Sequence, residues 1–244
     1  VQNTMLKNLL DTCGSSIAFF LVGYAFAYGG DPTKKSFIGL TNFMLMDSAD
    51  SDSAITYAHW LFQFSFAAAA ATIVAGTLAE RCQMNAYLMY SMMLTGFVYP
   101  VVVHNIWSTS GYFGCHGSDP ILGIGMVDFA GSGVVHVTGG CTALVATKLL
   151  GPRKGRFYDD RGEKLEEAKQ FPGHSKSLQM LGTFILWFGW YGFNAGSAVW
   201  VGTELRPIVV AKAVVNTTLA GSSSGIVALL VSMFIAERKT GSPV

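Results

Sequence analysis

The chain has 244 residues, 51% of them hydrophobic and only 13% charged, with 28 glycines and a formal net charge of +1. Together with a mean hydropathy of +0.41, this composition excludes an ordinary soluble domain and indicates one membrane-embedded domain. The net charge says nothing about nucleic acid, but no basic groove interleaved with aromatics is present, so no nucleic-acid partner is expected.

Six apolar stretches, at 9–30, 58–79, 85–107, 128–148, 178–200 and 207–236, each approach the ~20 residues a helix needs to cross a bilayer. The expected fold class is therefore all-α, a polytopic transmembrane helical bundle. The last stretch is the longest and holds Lys212 and the run Gly221 to Gly225, GSSSG, which suits close helix packing. Cys13, Cys82, Cys115 and Cys141 have no metal-ligand or disulfide-framework spacing, so no metal and no cofactor is expected. The chain opens on Val1 without a signal-peptide pattern and ends just after an apolar segment, so it is expected to be an internal piece of a longer protein.

Orientation follows from the basic residues, because cytoplasmic loops carry the excess of Lys and Arg. With the N-terminal flank inside, that side collects Lys7, Arg81, eight basic residues from Lys148 to Lys176, Arg238 and Lys239, which makes 12. The opposite side has three, Lys34, Lys35 and Arg206. The acidic segment Gly30 to Tyr57, with Asp31, Asp47, Asp50 and Asp52, is then an external loop, and Gly151 to Ser177 is a cytoplasmic linker.

Within the fourth stretch, DFAGSGVVHVTGG from Asp128 to Gly140 places an acid and an imidazole among apolar residues. An ionisable side chain at the bilayer centre costs roughly 2.5–3.5 kcal/mol on insertion scales, so such residues face a bundle interior or a water-filled path. His136 follows Asp128 by eight residues, about 12 Å of helix, which puts Asp128 at one interface and His136 near the middle. Ser132, Gly133, Gly139 and Gly140, one turn from His136, are small, so the imidazole is expected to face protein. A core histidine bonded to a carbonyl is the bland alternative.

In this orientation Trp107, Asp128 and Ser197 lie near the outer ends of their helices, with Phe66 two turns below the surface. An aromatic face attracts a small cation by its quadrupole, and a serine oxygen accepts a hydrogen bond from it. Each residue also has a plainer reading: Trp107 as interfacial belt, Phe66 as bulk, Ser197 as helix glue. In helix two Phe62 and Phe66 share a face, with the amide Gln63 beside them. Helix five carries Gly189, Gly192 and Gly196 as a smooth stripe for a neighbour, and Trp190, Phe193 and Ser197 one residue on, as a pore-lining helix should. Asn194 and Asn216 read as helix-to-helix hydrogen-bonding amides.

These residues resemble the ammonium transporter family, the Amt branch of the Amt/Rh/Mep superfamily. WLFQFSFAAAAATIVAGTLAER is similar to its third membrane helix, DFAGSGVVHVTGG to its fifth and GWYGFNAGSA to its sixth. The resemblance implies an eleven-helix inverted-repeat transporter, of which this chain holds the second to seventh helices, assembled as a homotrimer in the plasma membrane with one pore per subunit. It implies that Phe66, Trp107 and Ser197 bind ammonium or methylammonium on the outer side. By the same resemblance, Phe62 and Gln63 line the vestibule, Phe66 and Phe193 form the gate, and Trp190 flanks the pore. Asp128 is then a structural acid near the site, and His136 the first of two pore histidines; the second belongs to a later helix. An ammonium sensor built on the same membrane domain is the alternative, and no nucleophile motif supports an enzyme.

The basic-residue count generates a first prediction. A cysteine introduced near Asp50 is labelled by an impermeant reagent on intact cells, and one near Glu163 is not; the reverse pattern would overturn the orientation.

Overall fold

The computed structural model describes residues 2–47, 53–117, 119–199 and 207–240. Asp50 and Asp52 of the acidic segment and Arg206 of the orientation count lie outside the described residues, as do the side chains of Arg238 and Lys239. Among the described residues the secondary structure is helical, with isolated bridges and no strand, as an all-α reading requires. Among the described residues five helices are long and apolar enough to cross a membrane: α1 (Asn3–Tyr28), α2 (Ala54–Leu78), α3 (Met84–Trp107), α4 (Ser132–Leu150) and the last, Pro207–Ile235. Before that last helix, here α6, comes α5 (Lys176–Trp190), started by the Ser175 hydroxyl, which accepts from the Leu178 N–H. It runs on through a π turn, Tyr191–Ala195, and a 3₁₀ turn, Ser197–Val199.

The chain forms two compact units, Val1–Pro172 and Gly173–Val244. In the first, α2 is the central element, because its run of alanines lets other helices approach closely. Ala67, Ala70, Ala71 and Val74 are buried, together with Tyr87 and Leu94 of α3 and Ala143 of α4. Gly139 of α4 lies directly on α2: a Cβ there would fall 2.9 Å from Ile73 Cβ and 3.0 Å from the Ala70 carbonyl.

Three helices of this unit contain a π turn: Phe19–Gly23 in α1, Leu94–Val98 in α3 and Ser132–Val137 in α4. In α3 the cause is local. Pro100 has no N–H and its ring crowds the carbonyl four residues back, so the turn before it widens. The Tyr99 N–H accordingly reaches Leu94 O, five residues away.

The connections sort by chemistry. At the Trp107 end, the segments after α1 and α3 are tied by Ser36 N to Ser110 O (2.9 Å) and by Ser110 Oγ to Asp31 O (3.1 Å). Lys35 adds a bond to the Asp119 carbonyl. At the opposite end Lys7 Nζ donates to Ala79 O and Cys82 O, closing the carbonyl end of α2. Arg81 reaches Thr77 O and Gly151 O, and Arg153 pairs with Glu80 at 2.6 Å.

The second unit pairs α5 and its π turn with α6 through polar contacts. Asn194 Nδ2 donates to Thr217 Oγ1 (2.8 Å), Tyr191 Oη meets Thr218 Oγ1 (2.8 Å), and Trp187 rests over Gly221. The amide Asn194 is thus a helix-to-helix bond. Within the second unit the polar and aromatic side of α5 takes the contact with α6, and nothing of that unit lies within 4 Å of a Cβ at Gly189 or Gly192.

Gly139→Ala is expected to destabilise the purified protein by about 1–3 kcal/mol, the usual cost of overpacking. Gly140→Ala, which meets open space, leaves stability unchanged. Thermal melts of the two variants in one detergent check the pair, and equal melting temperatures would remove the α2–α4 contact as a determinant of stability.

Candidate functional site

Asp128 lies before α4, not in it: the helix begins at Ser132. The first N–H groups of a helix have no internal partner. The Asp128 carboxylate fills that need. Oδ1 accepts from Gly131 N (2.7 Å) and Ser132 N (3.0 Å), and Oδ2 from Gly133 N (2.9 Å) and Val134 N (2.7 Å). Gly131 makes the turn at φ +90°, where a Cβ would strike Val135 Cγ2. The carboxylate also sits against the positive end of the helix dipole, where an anion is favoured.

The same residue fixes Trp107. The indole Nε1–H donates to the Asp128 carbonyl at 2.7 Å, which locks the ring at the end of α3. Phe66, only 1% exposed, meets it edge to face, with centroids 5.5 Å apart and planes at 88°. Phe62 packs on Phe66 from one turn away, at 4.8 Å and 60°. Residues 62, 66, 107 and 128 thus form one cluster across α2, α3 and the start of α4.

His136 stands inside the π turn of α4, its N–H bonded to Gly131 O five residues back (2.9 Å). Within the first unit its side chain is exposed, while Gly139, one turn further on, lies on α2. Trp190, Phe193 and Ser197 belong to the second unit. There Trp190 ends α5, Phe193 lies in the π turn, and Ser197 Oγ donates to Phe193 O (2.9 Å).

Three intramembrane polar residues were not singled out in the sequence, although the cost of burying a polar group applies equally to them. His104 is a satisfied core histidine: Nδ1 bonds Ala27 O (3.0 Å) and Nε2 meets Ser36 Oγ (2.9 Å). Asp11 is wholly buried in α1, beside Ser91, whose hydroxyl donates to the Asp11 carbonyl (3.3 Å). His59 lies one turn before Gln63 on α2, with Nδ1 2.8 Å from Tyr24 Oη and Nε2 3.4 Å from Gln63 Nε2. Among the described residues no group of three or more His, Cys, Asp or Glu could hold a metal ion, and all four cysteines are free thiols.

Comparison with known proteins gives a consistent set of likenesses. A family model described as the Ammonium Transporter Family matches residues 1–241. The chain is 45% identical over 250 residues to ammonium transporter 1 member 1 of Oryza sativa subsp. japonica, covering 98% of this chain and 48% of the relative. It is 38% identical over 229 residues to ammonium transporter 3 of Dictyostelium discoideum, covering 94% and 48%. Among solved structures it is similar to one titled "Sensor Amt Protein", with a TM-score of 0.73, 33% identity, and 96% of this chain and 53% of that one covered. Mep2 from Candida albicans is similar at a TM-score of 0.70 and 29% identity, over 96% and 47%. The chain spans about half the length of the relatives it matches.

Asp128→Asn tests the cap. It leaves one acceptor oxygen and turns an amide NH₂ toward two N–H donors, each unmet buried group costing about 1–3 kcal/mol. A clear fall in melting temperature and a shift in tryptophan emission, as Trp107 loses its anchor, are expected. Unchanged values for both would show that the carboxylate does not hold the helix start.

Proposed function

We propose that this chain, an integral membrane protein that belongs to the ammonium transporter family, forms the outer entrance and first part of a pore for ammonium and methylammonium. Family membership also speaks against an enzyme. The observation that carries the proposal is the right-angled Phe66–Trp107 pair, held by the Asp128 carbonyl above the helix that bears His136.

In this reading a cation is captured against the aromatic faces, loses its water, and passes to a narrow apolar path past His136. There a neutral imidazole exchanges hydrogen bonds with it or relays its proton. Ammonium donates hydrogen bonds and K⁺ cannot, which is the basis of selection. The roles of Ser197 as acceptor, Phe193 as gate with Phe66, and Trp190 as pore flank rest on the motif GWYGFNAGSA. Gln63 and Phe62 line the vestibule. The homotrimer, the lipid bilayer of the plasma membrane and a second pore histidine in a later helix complete the proposal, as the family resemblance implies. One finding favours a second reading, a sensor that uses the same membrane domain: the likeness to the structure titled "Sensor Amt Protein".

Trp107→Leu and His136→Ala, expressed from the complete reading frame, test the proposal. Leucine keeps an apolar group at the membrane surface but removes the π face. A loss of about 1–2 kcal/mol of cation attraction raises the half-saturation concentration roughly 5–30-fold, read from a concentration series at fixed potential and equal surface expression. His136→Ala abolishes or sharply alters conduction while the assembled protein persists. Wild-type half-saturation in the first variant returns Trp107 to the interfacial belt, and wild-type uptake, current and selectivity in the second make His136 a core histidine.

A further inference from the structure

His59, Gln63 and Phe66 follow one another at i, i+4 and i+7 on α2, the spacing of a single helical stripe. Phe66 ends that stripe on the Trp107 ring. His59 starts it, held by Tyr24 and packed edge-on against Tyr28 at 4.7 Å. Gln63 sits between them, 7% exposed. Its amide nitrogen is 3.4 Å from His59 Nε2, and its oxygen Oε1 is buried with no hydrogen-bond partner.

The donor inventory orders this chain. An amide NH₂ donates only, so His59 Nε2 offers its lone pair and the ring proton sits on Nδ1, donated to Tyr24 Oη. The imidazole is then neutral, and the Gln63 amide is turned with its nitrogen toward His59. Its oxygen remains as a buried acceptor without a partner, on a residue one turn from Phe66. A buried acceptor left unpaired is costly, and a cation rich in N–H donors supplies what it lacks. The other amide rotamer would point NH₂ along the stripe and oppose a cation.

We propose that His59 is a positioning residue for the outer cation site, holding the Gln63 amide so that Oε1 accepts a hydrogen bond from bound ammonium. This rests on the transport reading above. It adds a neutral amide oxygen to the aromatic pair and makes the site's affinity depend on a residue that never touches the cation.

The test is methylammonium uptake by the protein expressed from its complete reading frame, normalised to surface expression. His59→Phe keeps ring volume without the acceptor, and raises the half-saturation concentration about 2–10-fold, the worth of one hydrogen bond, while the maximal rate holds. His59→Gln, whose amide oxygen again accepts from Gln63, restores affinity. Tyr24→Phe, which removes only a hydroxyl, shifts it in the same direction by less. In a Gln63→Leu background His59→Phe adds nothing. Equal effects of Phe and Gln at position 59, or an effect of His59→Phe that persists beside Gln63→Leu, would mean that His59 acts by packing and overturn the inference. A shift with Trp107→Leu and none with His59→Phe sinks this inference alone, whereas no shift with either sinks the outer-site reading and this one with it.

Discussion

A helix must find partners outside itself for its first N–H groups, and here those groups meet a side chain that is only 9% exposed. Around Asp128 that requirement is met by one side chain, whose two oxygens take four successive backbone donors. Other features depend on it. The Asp128 backbone, held in place by its own carboxylate, presents a carbonyl to the Trp107 indole. Trp107, so fixed, offers its ring to Phe66, and α4 begins in a register that carries His136 in its first turns. A single carboxylate therefore couples the start of one helix, the end of another and the aromatic pair between them.

Much of this was legible in the sequence because it rests on composition and on the cost of polar groups in lipid. Five of the six apolar stretches as long helices, the amide bond of Asn194 and the i, i+4 pairing of Phe62 and Phe66 all follow from hydropathy and helical spacing. What was not legible depends on local backbone choices. A π turn adds a residue to one turn and rotates all that follows by about 100°, so a face counted at 3.6 residues per turn fails across it. In α4 that turn lies between Asp128 and Gly139, the residue that packs on α2. Only at Pro100 did a π turn have a sequence cause that could be named in advance.

The missed histidines illustrate a second limit. His59, His104 and His136 are equally expensive in lipid, so the sequence cannot rank them by cost. Their surroundings separate them. His104 has a partner at both ring nitrogens from segments distant in sequence and acts as a rivet between α1, α3 and the connection after α1. His59 is tied to Tyr24 and to an amide that keeps one unmet acceptor. That difference is one of tertiary contacts, which helical spacing within α2 does not contain.

The occupation of Asp128 bears on how a cation would be held at all. A free carboxylate beside two aromatic rings would bind a small cation strongly and slow its onward movement, since conduction needs binding that is favourable but easily reversed. Here both carboxylate oxygens are directed at backbone donors, and the positive end of the helix dipole offsets much of the charge. In the proposed site the groups left to meet a cation are neutral: the π faces of Phe62, Phe66 and Trp107, and the amide of Gln63. Each would contribute about 0.5–2 kcal/mol, enough in combination to select a hydrogen-bond-donating cation and little enough to release it. In that reading the acid serves the architecture, and its removal from the binding surface is what keeps the site weak enough to serve a path.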